Sequence, residues 1–583
     1  MKELSARELE LQLEQQRLWR KENYKTGWAR LKAVRNVYPM ITEVDYDLKT
    51  GEQVIEDVET GEVSSYQIDE FRRQRECGLY VTTGSVEVIA KANGNGARFR
   101  GVTACGTASM CPRCNVTVQS KRAAEIADGM RNAAYGVTFS TYPLVQELEV
   151  KGQWYEGQEK VRGYTPKEAQ AVRTYFDEVW RCQAKGIVGP ALTDELADLI
   201  ERGKTEWRLV AVKDEAGRTI RDDNGVVQKK WQGFPVEELI PVLITLTLPH
   251  TVADDLEKMC DVISDAWRYC LTGSFREKLR TQFGLVGTIK ATEITRGSNG
   301  WHPHLHVLGF VNRSAYEAKK VRVPGQPGSP QYYAESLQSA LYARWSQRIV
   351  KHGYARPSKQ HGVDVEVMPD IERAAKALSL YLTKTEKADT KEKGVSSLAF
   401  ELTNSQGKLA MKGGVTFWQI IDRLAVLQDR KRANENQWAT DADKAEWFEL
   451  KCLHNEYVYA MRGRRMLGWS NGLKDRLGID ELTDEEIAIE ENEGEPEETE
   501  ATLGFLSLST WRTIYYRHNP GDFLAAACDG LEAADDWLRY RRLPSLLAEP
   551  PVSRRACRLK IDPEAVAMQE DEGWSAARQL VEV

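Results

Sequence analysis

Residues 302–308 read His-Pro-His-Leu-His-Val-Leu, and this run holds three of the chain's eight histidines. Side chains of an extended strand alternate between its two faces, so His302, His304 and His306 share one face while apolar neighbours share the other. Three imidazoles so close together repel when protonated and converge when neutral. A divalent metal resolves that conflict, because neutral imidazole is a common metal ligand. The pattern therefore demands a β-strand with one packed face and one chemical face.

The segments around this run extend the argument. Gly287–Thr295 and His302–Val311 read as two strands joined by the turn Arg296-Gly297-Ser298-Asn299-Gly300. Glu293 then lies across a hairpin from the histidines, near enough to share a metal with them. A carboxylate among the ligands favours Mg or Mn. Val242–Leu248 alternates as a further strand, Asp254–Leu279 has helical periodicity, and Tyr333–Val350 is helical. Val363–Val367 reads as a short strand and Glu372–Lys384 as a helix. Within that last helix Tyr381 and Lys384 share one face. A phenol with its ordinary pKa near ~10 becomes a nucleophile only beside a cation or a metal-held phosphate.

Cys77, Cys105, Cys111 and Cys114 form a second cluster. Cys111-Pro112-Arg113-Cys114 has zinc-knuckle spacing, and a reduced compartment favours a closed, structural Zn site over disulfides. A redox pair or an iron–sulfur cluster are the alternatives. The other six cysteines are scattered and read as packing residues. Lys121-Arg122 and Arg462-Gly463-Arg464-Arg465 with Trp469 are basic groups fit to grip phosphates, or else solvated turns beside a core tryptophan.

The net charge is −7, yet twelve acidic residues lie between Asp480 and Glu500 with no basic one among them. Setting these aside leaves the remainder at +5, so net acidity does not argue against a nucleic-acid partner. The N-terminus has no signal-type apolar core, the longest apolar stretch is too short for a bilayer, and a cytoplasmic chain without membrane association is expected. No Gly-x-x-x-x-Gly-Lys-Ser/Thr loop occurs, so NTP-driven unwinding is not expected.

The expected fold class is α+β, a central antiparallel sheet flanked by helices, with a zinc element and helical N- and C-terminal regions. The expected division is a helical arm and hairpin (1–76), a cysteine-rich element (77–149), a charged insertion (150–240), a nuclease-like domain (241–400), a helical basic region (401–479), an acidic linker (480–503) and a C-terminal helical unit (504–583).

Ile244-Thr245-Leu246-Thr247-Leu248, Glu293-Ile294-Thr295, Gly300–Leu308 and Tyr381-Leu382-Thr383-Lys384 occur in the order of the motifs of rolling-circle replication initiators, in the HUH endonuclease superfamily. The chain resembles plasmid members in which a Cys-Gly…Cys-Pro-x-Cys element precedes the nuclease. The resemblance spans roughly residues 77–135 and 241–480. It implies an HUH-type domain with His304 and His306 as metal ligands, Glu293 or His302 as the third, and Tyr381 as the nucleophile assisted by Lys384. It further implies origin DNA as substrate, single-stranded or cruciform, with a host helicase and polymerase as partners. Some relatives carry a glutamate one turn before the tyrosine. Here that residue is Ala377, which leaves termination undefined. Rival expectations are a transposase or relaxase with the same chemistry, a histidine-triad nucleotide hydrolase or transferase, and a zinc-bearing DNA-binding protein without activity.

Overall fold

The computed structural model describes residues 6–37, 45–46, 53–56, 63–64, 76–91, 96–140, 164–184, 188–216, 218–222, 225, 227–320, 330–368, 414–496 and 500–551. The helix expected over Glu372–Lys384, with Ala377, Tyr381 and Lys384, lies outside these residues.

In chain order, helix α1 (Ala6–Val37) precedes three short strands, β1 (Asp45–Tyr46), β2 (Gln53–Glu56) and β3 (Val63–Ser64). Strands β4 (Val86–Lys91) and β5 (Ala97–Arg100) lead to α2 (Pro112–Ala134). The charged insertion contains α3 (Pro166–Ala184), α4 (Asp194–Gly203) and a hairpin, β6 (Thr205–Ala211) with β7 (Lys229–Pro235). The central region comprises β8 (Leu239–Thr247), α5 (Leu256–Cys270), α6 (Gly273–Gln282), β9 (Leu285–Gly297), β10 (Gly300–Asn312), α7 (Arg313–Lys320), α8 (Pro330–Lys351) and β11 (Val363–Val367). After it come β12 (Val415–Thr416), α9 (Phe417–Ala433), α10 (Asp441–Met461), β13 (Leu467–Trp469) and α11 (Leu473–Leu477). The chain continues through α12 (Asp484–Glu493), β14 (Glu500–Leu506), α13 (Leu508–Arg517), α14 (Pro520–Ala527) and α15 (Leu531–Tyr540).

The main sheet is antiparallel in the order β11-β8-β10-β9-β12, with β13 also paired to β9. The fold is thus mixed helix and sheet built on antiparallel strands, as expected. The β9–β10 hairpin is longer than its sequence pattern implied, because Gly297 pairs with Gly300 and the turn shrinks to Ser298-Asn299. Gly300 adopts φ +88, a left-handed conformation that glycine enters without a Cβ clash. Pro303 is tolerated in this inner strand because β8 pairs only from His304 onward, so β10 has a neighbour on one side there.

Strand parity divides the sheet into two unlike faces. Ile240, Val242, Ile244, Leu246, Leu305, Val307, Val363 and Val365 point to one side and pack against α5, α8, α9 and α10 in the largest core. On the other side Leu243, Ile289, Ala291, Leu308 and Phe310 pack under Ile126 and Met130 of α2 and under Leu473 and Leu477 of α11. Among the described residues this apolar cluster does not include the histidines, which lie further along the same face.

Two expectations are corrected. The helical stretch Asp254–Leu279 is two helices, separated where Gly273 takes φ +62. The described part of 401–479 is mainly helical, as expected, and its short strands β12 and β13 complete the outer edge of β9. The acidic stretch 480–503 is no linker. Thr483 and Glu486 form a capping box that starts α12, and β14 pairs with β4 beside the cysteines. Charge neutralisation makes this possible: Arg98 meets Glu500 at 2.9 Å and donates to the carbonyls of Glu491, Gly494 and Glu495.

Two helices tie the cores together. Helix α1 buries Trp28 and Leu31 with the cysteine element and Val34 and Val37 with the main sheet. Helix α2 begins among the cysteines and ends on the sheet face that also carries the histidines. Among the described residues no helix is long and apolar enough to cross a membrane.

Candidate metal centres

His302, His304 and His306 are each half-buried, alternating with buried Trp301, Pro303 and Leu305. Glu293 pairs directly with His304 across the hairpin. Its Oε2 lies 3.3 Å from His304 Nε2 and 3.1 Å from His306 Nε2, and the two Nε2 atoms are 3.0 Å apart. Three ligand atoms so arranged match adjacent corners of an octahedron with bonds of ~2.1 Å, whose edge is ~3.0 Å. The outer hydrogen bonds agree with this fit. Thr245 Oγ1 lies 3.2 Å from His306 Nδ1, and the His302 carbonyl 3.5 Å from His304 Nδ1. If each Nδ1 carries the hydrogen, both Nε2 lone pairs converge on the carboxylate, and a cation makes that convergence favourable. These three residues could hold a metal.

His302 is set apart from this group. Its Nδ1 lies 2.7 Å from His250 Nε2, and His250 Nδ1 lies 3.0 Å from the Asn299 carbonyl. Burial and the neighbouring His304 and His250 lower the His302 pKa to about 4, which keeps this ring neutral. Of the two expected third ligands, the geometry brings Glu293 and not His302 to the pair. Sequence reading missed Thr245 and His250. The Thr245-x-Thr247 alternation in β8 was a usable signal, since it puts both hydroxyls on the histidine face.

The four cysteines converge as well. Cys77, Cys105, Cys111 and Cys114 are buried, with Cys114 Sγ 3.6 Å from Cys77 Sγ and from Cys105 Sγ. A tetrahedron around zinc with Zn–S bonds of ~2.3 Å has edges of ~3.8 Å, so the sulfurs fit that ion. Cys111 occupies the N-cap position of α2 and Pro112 its first turn, and burial pushes the free Cys111 thiol up. Buried Arg113 donates to Cys77 Sγ at 3.3 Å and to the Thr103 carbonyl at 2.7 Å. Hydrogen bonds from the Cys105, Cys111 and Cys114 thiols hold Cys77 well below the usual thiol range. This site could bind zinc, and its burial leaves no open position for substrate.

The expected phosphate contacts divide. Lys121 is exposed. Arg122 is buried and engages Glu125, Asp484 and the Leu482 carbonyl, so it joins α2 to α12 instead of facing solvent. Arg464 reaches Asp261 at 2.8 Å and the Ala460 carbonyl at 2.7 Å, while Arg462 and Arg465 are exposed. Trp469 is half-buried against the α2–α11 core, with Lys474 Nζ 5.5 Å from its ring. It is not an open stacking surface.

No protein-family model matches the chain, and neither does any solved structure. A protein of Streptomyces lividans described as "Protein rep" is 31% identical over 210 residues, which cover 35% of this chain and 43% of that protein. A "Neomycin resistance protein" of Streptomyces cyanogenus is 32% identical over 12% of this chain and 22% of its own length. The chain therefore spans less than half the length of either relative.

Proposed function

We propose that this protein initiates rolling-circle replication of a plasmid by nicking one strand of origin DNA. The convergence of Glu293, His304 and His306 on one point is the observation that carries this reading. The order of the sequence motifs and the likeness to a protein named Rep support it. A histidine-triad hydrolase needs its central imidazole available as a nucleophile. The carboxylate 3.3 Å from His304 favours a ligand role instead.

Glu293, His304 and His306 would hold Mg or Mn, which when bound would polarise the scissile phosphate and offset charge on the departing oxygen. Thr245 and the His302 carbonyl fix the two ligand rings. The scissile strand would lie along the histidine face of the sheet. The Tyr381 oxygen would attack phosphorus, forming a Tyr–O–P bond while the P–O3′ bond breaks. The phenolic proton leaves to solvent and the 3′ oxygen takes one up. The DNA 5′ end is then joined to the protein, and the free 3′-OH serves a polymerase. Lys384, three residues further along the chain, would counter the developing negative charge. The cysteine site would hold zinc as a structural ion. A host helicase would supply the unwinding for which this chain has no phosphate-binding loop.

The test is incubation with single-stranded origin DNA and Mn, followed by mass mapping of the DNA-linked peptide. A phosphotyrosine at Tyr381, absent after EDTA and in Tyr381→Phe, is expected. Cleavage of small nucleotides without metal, and no DNA adduct, would overturn the reading. DNA from element ends cut in preference to an origin hairpin would identify a transposase.

A further inference from the structure

The N-terminal helix and the C-terminal unit meet in a surface that neither metal site uses. Helix α13 ends in Tyr516-Arg517 with His518 as its C-cap, and α15 carries Trp537 and ends at Tyr540 with Arg541 as its C-cap. The His518 ring meets Trp537 edge-on at 5.8 Å and so joins the two helix ends. The Arg541 guanidinium lies over the Trp537 ring at 3.7 Å and 5.7 Å from the Tyr540 ring. From α1, Arg35 lies over Tyr515 at 4.0 Å, and Tyr515 abuts Tyr516 at 5.2 Å. Tyr540 is 86% exposed and Tyr516 36%, so two rings stand open beside the cations.

Several cations gather on this face, and Arg541 also donates to the Trp537 carbonyl at 3.2 Å. Burial lowers the pKa of His518, and Arg541, Lys32 and Arg517 push it the same way, with Asp522 opposing. Burial likewise lowers Lys32, helped by Arg35 and Arg432 and opposed by Asp429. A bound polyanion would favour the charged form of Lys32. Exposed tyrosines among guanidiniums are more than a phosphate site requires. They are the parts of a base-stacking platform.

We propose that this face binds a single-stranded nucleic acid, its phosphates on Lys32, Arg517 and Arg541 and its bases on Tyr516 and Tyr540. That the strand is DNA rather than RNA rests on the nicking reading. The face would hold a second stretch of the strand, on residues other than the metal-site ligands.

The test uses the full chain carrying His304→Ala, so that bound DNA stays intact. Fluorescence anisotropy would follow a labelled oligothymidine, a duplex, an oligouridine and anionic phospholipid vesicles. Tyr516→Ala with Tyr540→Ala should weaken oligothymidine binding about tenfold or more, with the duplex less affected and the thermal midpoint unchanged. Lys32→Gln with Arg517→Gln should flatten the dependence of log K on log salt by about 1.4, roughly 0.7 per lost phosphate contact. Unchanged oligothymidine affinity in the tyrosine variant would overturn the proposal. So would an equal loss for duplex or vesicles, which would mark the face as a bare charge patch. Tighter oligouridine binding would overturn the DNA assignment alone. If no Tyr381 adduct forms in the wild-type chain while oligonucleotide binding still depends on these rings, the nicking reading fails and this surface stands.

Discussion

Glu293 and His304 face each other directly across the β9–β10 hairpin, and Glu293 Oε2 sits 3.3 Å from His304 Nε2. A slip of one residue in register would send every side chain of one strand to the opposite face. The two-residue turn closed by Gly300 therefore governs the candidate metal centre as firmly as the ligands do.

Thr245 holds His306 by its Nδ1. Replacing it with valine keeps shape and removes the acceptor, so Mn affinity is expected to fall about 10- to 100-fold with the fold intact. Calorimetric titration of Mn into Thr245→Val and wild-type protein measures this. Equal affinities would mean that the ring needs no such support.

The cysteine site shares its core with the C-terminal helices. The Tyr515 hydroxyl reaches the Cys77 carbonyl at 3.4 Å, and Trp511 and Ile514 lie in the same cluster. Cys114→Ser should remove one zinc equivalent and raise amide exchange in α13 and β14 while sparing β8 and β10. Elemental analysis with hydrogen-exchange mass spectrometry reads both. Loss of zinc with unchanged exchange in α13 would disprove the coupling.

Arg98 and Glu500 form an ion pair whose side chains are 9% and 5% exposed. Removing one partner of such a pair leaves a buried charge and typically costs about 3–5 kcal/mol. Arg98→Met should lose stability of that order in urea unfolding, through release of β14 and α12. A loss below about 1 kcal/mol would show that the backbone carbonyls are easily rehydrated.

His454 is buried and stacks on Phe417 at 5.1 Å. Burial drives its pKa down to about 3, against an unfolded value near ~6.5. The unfolded chain thus binds the extra proton first. The stability held above pH ~6.5 falls as pH drops toward 3, by up to about 1.4 kcal/mol per unit. His454→Leu should flatten this slope between pH 6 and 4, as urea unfolding at several pH values would reveal. An unchanged slope would mean that the acid sensitivity arises elsewhere.

Local pattern alone determined a good deal of this molecule. The His-x-His-x-His alternation implied one strand face, the Gly-rich turn placed Glu293 opposite it, Val363–Val367 read correctly as a strand, and the cysteine spacing implied a cluster. Each depends on neighbours within a turn, a hairpin or a strand, where periodicity and chain geometry are enough. Only the tertiary structure decided that Arg122 is held by Asp484 rather than offered to DNA, and that β12 and β13 complete the sheet. It alone decided that the acidic stretch folds against Arg98, about four hundred residues away in sequence. In those cases the deciding partner lies on a distant segment. Whether a charge is solvated or neutralised depends on what packing brings to it, and no local periodicity encodes that.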